Sequence, residues 1–229
     1  MKKVLSFCLW GDNPTYNIGA IRNSEIAKSL YPDFECWFYI HKETVPIKTI
    51  EKLEKMDNTK VIFKYGDLNT SKPMMWRFEA IDDNEVELMM CRDTDTRILF
   101  REKLAVDEWL NSNKVFHIMR DHPHHRFHVL GGMFGTKKIP EISSWASLMK
   151  KVVQNKNRDY DQEFLYCYIY NNIKDNSVIH ATFHKHEPHS KDFPIKYDND
   201  YRFVGEYVYF DESRSNVHID ILKKSVNNK

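Results

Sequence analysis

The chain has 229 residues, of which 41% are hydrophobic and 14% aromatic, and its 34 Lys and Arg residues nearly balance its 33 Asp and Glu residues. This length suffices for one large domain or two small ones, and the composition excludes a disordered chain. The balanced charge argues against a general binder of nucleic acid or of membrane surfaces, and the apolar runs are too short for a membrane span.

Strands and helices alternate regularly over the first ninety or so residues. Beginning with a strand, the predicted elements cover residues 4–10, 18–30, 36–41, 47–56, 60–65, 73–81 and 88–91. This order predicts an α/β protein with an open, mainly parallel sheet and helices on both faces. Ligands of such sheets bind beyond the carboxyl ends of the strands, where we expect Gly11, Gly66 and Asp93.

The second half of the chain is less regular. Helices are predicted over 101–110, 142–153 and 161–171, strands over 115–119 and 178–182, and a basic, His-rich tail after them. Because no repeat, linker or domain break is evident, we predict a single domain over 1–229. Its nucleotide-binding half covers about 1–97 and its acceptor-binding half about 98–229.

The four cysteines are far apart in the sequence and mostly lie in apolar runs. They lack the spacing of a zinc site, so we predict reduced core thiols in a cytoplasmic protein. The first eleven residues superficially resemble a signal peptide, but the apolar part is short and runs into a Gly-Asp-Asn-Pro turn. We therefore interpret it as the first strand.

The most informative feature is a pair of acids, Asp93 and Asp95, at the end of an apolar run. Residues two apart in a strand face the same way, so both carboxylates can converge on one cation at the strand end. Oxygen ligands suit Mg²⁺ or Mn²⁺, which usually lies between one or two carboxylates and a substrate phosphate. Two acids at the tip of a buried strand are costly without a cation or basic partners, so we predict a divalent metal site here.

Four segments together resemble glycosyltransferases of the GT-A fold. They are residues 9–14 with 16–22, the Asp93-Thr94-Asp95 (DxD) motif, residues 118–123 with 131–133, and Asp161-Gln162-Glu163. The last is similar to the Asp-Gln-Asp element of the glycogenin and lipopolysaccharide galactosyltransferase group of retaining enzymes. The set also resembles small bacterial and large-virus glycosyltransferases. This resemblance implies transfer of a sugar, with retention, from a nucleotide-diphosphate donor, expected to be a UDP-sugar, to a hydroxyl group of a glycan or protein acceptor.

The resemblance also implies a set of site residues. The donor would be bound by Trp10, Gly11, Tyr16, Arg22, Arg77, Asp93, Thr94, Gly131 and Gly132. Mn²⁺ or Mg²⁺ would be coordinated by Asp93, Asp95 and His180, with His184 as the fallback because the group's full His-x-x-Gly-x-x-Lys-Pro-Trp motif is absent. Catalytic roles would fall to Asp161 and Asp121, which would bind the donor sugar or acceptor hydroxyl, and to Gln162 near the anomeric carbon.

Several alternatives stay open on sequence alone. The two acids could form a solvated turn or pair with Arg92 and Arg97, and the protein could be a catalytically silent nucleotide-sugar-binding module of the same fold. An inverting enzyme would instead need a carboxylate as general base, for which Asp161 or Glu163 is available. The histidines between 117 and 128 fit no standard zinc site and are interpreted as part of an acceptor loop.

Overall fold

A seven-stranded sheet forms the centre of the computed structural model, which describes residues 1–70, 72–151 and 159–228. Its strands are β1 (Lys2–Leu9), β2 (Phe34–His41), β3 (Thr59–Lys64), β4 (Val86–Arg92), β5 (Phe116–Arg120), β6 (Met133–Lys137) and β7 (Ser177–Ala181). The spatial order is β3-β2-β1-β4-β6-β5-β7, and only β6 runs antiparallel to its neighbours. The predicted α/β class with a mainly parallel sheet is confirmed.

The helices within the described ranges are α1 (Pro14–Leu30), α2 (Ile47–Glu54), α3 (Lys72–Met75), α4 (Phe100–Leu110), α5 (Trp145–Lys150), α6 (Tyr160–Phe164), α7 (Asn171–Ile173) and α8 (Asn216–Asn227). A 3₁₀ helix, Trp76–Asp82, continues α3, and a π-helical segment, Leu165–Tyr170, joins α6 to α7. The described helices include none that is both long enough and apolar enough to cross a membrane.

Both faces of the sheet are covered, and each carries its own apolar core. The helices α1, α2 and α4 pack on one face around Phe7, Phe38 and Trp109. The 3₁₀ helix and α5 and α6 pack on the other face around Phe78 and Phe134. Because β1, β2 and β4 are buried on both faces, they are nearly continuous apolar runs in the sequence, which made them easy to predict.

Three elements differ from the sequence-based prediction. β6 occupies part of the glycine-rich segment, to which no strand was assigned, and α8 lies in what was predicted to be a basic tail. The predicted helix over 142–153 is realised as α5, and its last two residues lie outside the described part of the chain.

The order of the strands creates a crevice at the carboxyl ends of β1 and β4. β1 lies between β2 and β4, so the chain leaves β1 towards one side of the sheet and later returns on the other. Such a topological switch point is the usual ligand site of an open α/β sheet. Here it brings Trp10, which follows β1, and Asp93, which follows β4, to the same cleft.

Candidate active-site cleft

The crevice at the switch point is a cleft of about 470 Å³. It is lined by most of the residues that the sequence predicted for the site, namely Trp10, Tyr16, Arg77, Asp93, Thr94, Asp95, Gly131, Gly132, Asp161 and Gln162. Both halves of the chain contribute to this lining, because β6 and the helix α6 bring the second half against the tip of β4.

Arg77 links the acids of the cleft. It lies on the 3₁₀ helix and is buried, and its Nη2 donates to Asp161 Oδ2 at 2.9 Å, while its Nη1 donates to Asp93 Oδ1. Burial alone would lower the pKa of Arg77, but the neighbouring carboxylate of Asp93 raises it well above its ordinary value. The guanidinium therefore stays charged and holds Asp93 and Asp161 at fixed positions on opposite sides of itself.

The glycine pair packs directly against the same two acids. A Cβ atom added at Gly131 would lie 1.9 Å from Asp161 Oδ2, and one added at Gly132 would lie 1.9 Å from Asp93 Oδ2. The pairing of Arg92 with Met133 in the β4–β6 ladder sets this arrangement, since it places the next residues of the two strands side by side. Only glycine leaves room for both carboxylates, which explains why two glycines lie here.

Backbone contacts fix the loop that carries the DxD motif. The amide of Val208 donates to the carbonyl oxygen of Asp95 at 2.8 Å. A Cβ atom at Gly19 would collide with the carbonyl oxygen of Thr94, so α1 approaches the loop closely. Asn23, also on α1, donates its side-chain amide to the carbonyl oxygen of Thr96 at 2.8 Å. The carboxylates thus project from a rigid support, as a metal or phosphate site requires.

Burial raises the pKa of Asp161, although Arg77 opposes this shift. Both of its carboxylate oxygens accept hydrogen bonds, Oδ2 from Arg77 and Oδ1 from the backbone amide of Gln162 at 2.9 Å. The side chain of Gln162 donates to Asp159 at 3.3 Å, whereas its Oε1 is buried and accepts no hydrogen bond in the described structure. An unsatisfied acceptor in the lining of a cleft suits a ligand that carries hydroxyl groups.

Aromatic side chains form the opposite wall. The ring of Trp10 packs edge-to-face on Trp76, with centroids 6.4 Å apart, and Trp76 in turn stacks on His41. Tyr16 from α1 lines the cleft next to Trp10. These rings provide a flat, supported surface of the kind on which a nucleoside base can stack.

Asp121, predicted to be catalytic, lies outside the cleft lining. It is completely buried and pairs with Arg101, whose Nη2 and Nε lie 2.8 and 2.9 Å from its two oxygens. Thr182, Tyr197 and the amide of Val204 also donate to it, at 2.8, 2.9 and 3.0 Å. With its acceptor sites occupied in this way, Asp121 joins the C-terminal segment to β5, and we assign it a structural role.

His180, predicted as the third metal ligand, is likewise in another place. It is buried on β7, where its Nδ1 lies 2.8 Å from His117 Nε2 and its Nε2 lies 3.1 Å from Glu108 Oε2. Burial lowers its pKa to about 4, so the ring is neutral. Because both ring nitrogens have protein partners away from the cleft, His180 is not positioned to bind a metal with the DxD acids. The fallback His184 contacts the carbonyl oxygen of Pro123 and does not line the cleft either.

Two predicted donor-binding residues also lie outside the lining. Arg22 is exposed on α1 and pairs with Glu25 and Glu212. Gly11 turns the chain after β1 with a φ of +74° and donates its amide to Thr44. Gly11 therefore shapes the loop beside Trp10, whereas Arg22 belongs to a surface ion-pair network.

Several residues of the lining were not predicted. His125 and Asp159 come from loops, and Gly205 and Tyr207 come from the irregular segment before α8. Two ion pairs hold that segment. Arg97 pairs with Glu212, which is far away in sequence, and Arg214 pairs with Glu206 within the irregular segment itself. Asp159 had a local signal, since it precedes Asp161 by two residues, but Tyr207 had none.

The two DxD carboxylates, which line the cleft, are the acids that would hold a metal. Within residues 1–70, 72–151 and 159–228, no group of three His, Cys, Asp or Glu side chains is arranged to hold a metal ion. This donor set fits a hard cation such as Mg²⁺ or Mn²⁺, which commonly binds one or two carboxylates and completes its coordination with substrate phosphates and water. It does not fit a cage built from protein ligands alone.

Comparisons with known proteins support the fold. No protein-family model matches the sequence, and no curated protein matches it. Among solved structures, the chain is similar to a glycosyltransferase involved in glycosylation of the major capsid of PBCV-1, with a TM-score of 0.51 and 13% sequence identity. The likeness covers 79% of this chain and 82% of that one. At this identity the likeness is one of fold, and the chain therefore has the α/β architecture of that viral glycosyltransferase.

Proposed function

We propose that the protein is a metal-dependent glycosyltransferase that moves a sugar from a nucleotide-diphosphate donor, a UDP-sugar, to a hydroxyl acceptor. One observation carries this proposal: Asp93 and Asp95 project from the tip of β4 into the switch-point cleft, where Gly132 packs on Asp93. Acids at the usual ligand site of this fold would hold the divalent cation that neutralises a leaving diphosphate. The fold itself is shared with a glycosyltransferase.

The acids would hold the metal, and the metal would supply the positive charge that a leaving diphosphate needs. Asp93 and Asp95 would hold Mn²⁺ or Mg²⁺, which acts as a Lewis acid on the diphosphate when bound. Arg77 keeps Asp93 and Asp161 in position, and its charge offsets part of theirs. On the opposite wall, Trp10 and Tyr16 would bind the nucleoside through their rings.

We propose retention of the anomeric configuration because Asp161-Gln162-Glu163 resembles the element of the retaining group. An inverting enzyme needs a carboxylate that can take the proton of the acceptor hydroxyl. Both oxygens of Asp161 already accept hydrogen bonds and Glu163 is exposed and absent from the cleft lining, whereas Asp159 lines the cleft and is the candidate base if the enzyme inverts. Gln162, with its unsatisfied Oε1, would instead bind a hydroxyl group of the donor sugar near the reacting carbon.

The test is turnover of a panel of UDP-sugars with Mn²⁺, by hydrolysis and by transfer to glycoside acceptors. We expect Asp95→Asn to lower turnover by at least about 100-fold, since loss of a Lewis acid costs several kcal/mol of transition-state stabilisation. The matched control is Asp220→Asn, an exposed acid on α8 outside the cleft lining, which should keep full activity. Full activity of the folded Asp95→Asn protein, or activity unaffected by a chelator, would remove metal dependence from the proposal. NMR of the product anomer decides between retention and inversion.

A catalytically silent nucleotide-sugar-binding module is the second candidate. The observation in its favour is that Arg77 already neutralises Asp93, so the fold tolerates the acid pair without a metal. Calorimetry with UDP and Mn²⁺ separates the candidates: tight binding by a protein that turns over no donor, with or without acceptors, indicates the module.

A further inference from the structure

The helical segment that follows Asp161 and Gln162 in the chain exposes an aromatic ring. Tyr166 lies on the π-helical segment Leu165–Tyr170, and π-helical turns occur frequently at functional sites. Its side chain is 44% exposed, whereas Tyr170 on the same segment is buried. The two rings stack with centroids 5.6 Å apart and planes 21° apart, so the exposed ring rests on a buried one.

Two histidines extend this surface. The ring of His128 lies 4.8 Å from Tyr166 and 4.9 Å from Tyr170, centroid to centroid, and it stacks on His186 at 4.3 Å. We name these four residues the aromatic ledge. Tyr166 and His186 are its exposed members; the ring of His186 also stacks on His184, and its Nε2 lies 3.0 Å from the carbonyl oxygen of Arg126.

A buried ion pair anchors the ledge before any ligand arrives. The hydroxyl of Tyr170 donates to Glu187 Oε1 at 2.8 Å, and Glu187 pairs with Arg120. Arg120 also donates from Nη1 to the carbonyl oxygen of His128 at 2.7 Å. Both charged residues are buried, so the positions of the rings are set by the core of the protein. A surface ordered in this way loses little conformational entropy on binding.

The ledge adjoins the cleft at two points of the chain. His128 precedes by two residues Leu130, which lines the cleft next to Gly131. Tyr166 follows Gln162 by four residues, which is about one helical turn. The ledge is thus connected along the chain, through Leu130 and Gln162, to the lining of the cleft.

The chemistry of the ledge suits an uncharged ligand with one apolar face. Burial, followed by the neighbouring His186, lowers the pKa of His128, so its ring is neutral at physiological pH. The charge of Glu187 is compensated by Arg120. A pyranose ring has a face of C–H groups that packs on an aromatic ring and hydroxyl groups that bond to the polar edges of Tyr and His.

We propose that the aromatic ledge binds a sugar ring of the acceptor, so that the acceptor of the proposed transferase is an oligosaccharide and not an isolated protein hydroxyl. The assignment of the ligand as an acceptor rests on the proposed function. The binding of carbohydrate by the ledge does not, and it is measured separately.

Labelled protein on an array of immobilised glycans tests the binding. We expect the wild type to bind a defined subset of glycans, and Tyr166→Ala to reduce that binding by at least about fivefold, the worth of one aromatic contact. Tyr166→Phe should keep most of the binding, because it keeps the ring and loses only the hydroxyl group. Tyr65→Ala is the matched control, since Tyr65 is 61% exposed and lies outside the cleft lining. If Tyr166→Ala fails to fold, the exposed His186→Ala provides the same test.

Kinetics with the glycans that bind complete the experiment. The KM for the acceptor should rise about fivefold in Tyr166→Ala, while the KM for UDP-sugar hydrolysis stays unchanged. A wild type that binds no glycan, or a Tyr166→Ala protein that binds as the wild type does, would overturn the ledge assignment. A raised KM for the donor alone would also overturn it, since the ledge would then belong to the donor site. Glycan binding by a wild type that turns over no donor would instead remove the proposed function and leave the ledge as a glycan-binding surface.

Discussion

Alanine at position 132 would displace the acid that we propose binds the metal. Its Cβ would lie 1.9 Å from Asp93 Oδ2 and 2.4 Å from Asp93 Cγ, whereas atoms at such contacts stay at least 3.0 Å apart. The difference, 3.0 minus 1.9, requires a shift of about 1.1 Å in the carboxylate. The backbone has little freedom to move instead, because Arg92 pairs with Met133 in the β4–β6 ladder. The shift would also disturb the ion pair between Asp93 and Arg77.

We expect Gly132→Ala to lower turnover of a UDP-sugar by about 100-fold, the effect of misplacing a reacting group by about 1 Å. Overpacking of this kind costs on the order of 1–3 kcal/mol, so the protein should still fold. The assays are donor turnover at saturating Mn²⁺, calorimetric titration with Mn²⁺ and UDP, and urea unfolding. Weaker Mn²⁺ binding together with a preserved unfolding transition would locate the defect at the acid.

Gly66→Ala is the control for this variant. Gly66 has a φ of +118°, so alanine is strained there, but an added Cβ would meet no atom within 4 Å. We expect a loss of about 1 kcal/mol in the free energy of unfolding and unchanged turnover. If folded Gly132→Ala kept the turnover and the Mn²⁺ affinity of the wild type, the position of Asp93 would not matter for function and the reasoning would fail.

Further predictions concern Asp121 and His180, two of the predicted site residues that lie outside the cleft lining. Asp121→Asn should lower the free energy of unfolding by about 3–5 kcal/mol in urea titrations, because it leaves the buried Arg101 without its counter-charge; a variant of wild-type stability with no turnover would return Asp121 to a catalytic role. The pKa of His180 is about 4 in the folded protein, against an ordinary value of 6.5, so the unfolded chain binds a proton that the folded one does not. Stability should therefore fall as the pH drops from 6.5 towards 4, by an amount on the order of 3 kcal/mol, and this loss should shrink in His180→Gln; an equal acid sensitivity of the variant would contradict the assignment. The same variant should bind Mn²⁺ as the wild type does in calorimetry, since His180 contacts Glu108 and His117 and lies outside the cleft lining.

Much of the site could be predicted from the sequence because its residues lie at the ends of elements with strong local signals. Asp93 and Asp95 follow an apolar strand, and parallel strands deliver their carboxyl ends to a common edge. Gly131 and Gly132 were predicted for the site through the resemblance to glycosyltransferases of the GT-A fold. What they approach, the carboxylates of Asp93 and Asp161, is known only from the packing.

Asp121 and His180 were predicted for the site and lie outside the cleft lining, and one physical cause explains both differences. The sequence around an aspartate or histidine does not reveal whether its polar atoms bind a ligand or other side chains of the protein. Asp121 and His180 resembled site residues, yet their polar atoms form hydrogen bonds within the protein. The partners lie more than sixty positions away in sequence, for example Thr182 for Asp121 and Glu108 for His180. Such contacts depend on how the elements pack.

By itself, then, the sequence determined the alternation of strands and helices, the mainly parallel sheet and the acids at the tip of β4, because hydrophobic periodicity and strand polarity are local properties. The tertiary structure alone decided which polar residues meet in the cleft. It placed Arg77 between Asp93 and Asp161, brought Tyr207 from the irregular C-terminal segment into the cleft lining, and stacked Tyr166 on Tyr170. These contacts are ion pairs and ring contacts between segments that are distant in sequence, and they form only when the chain folds.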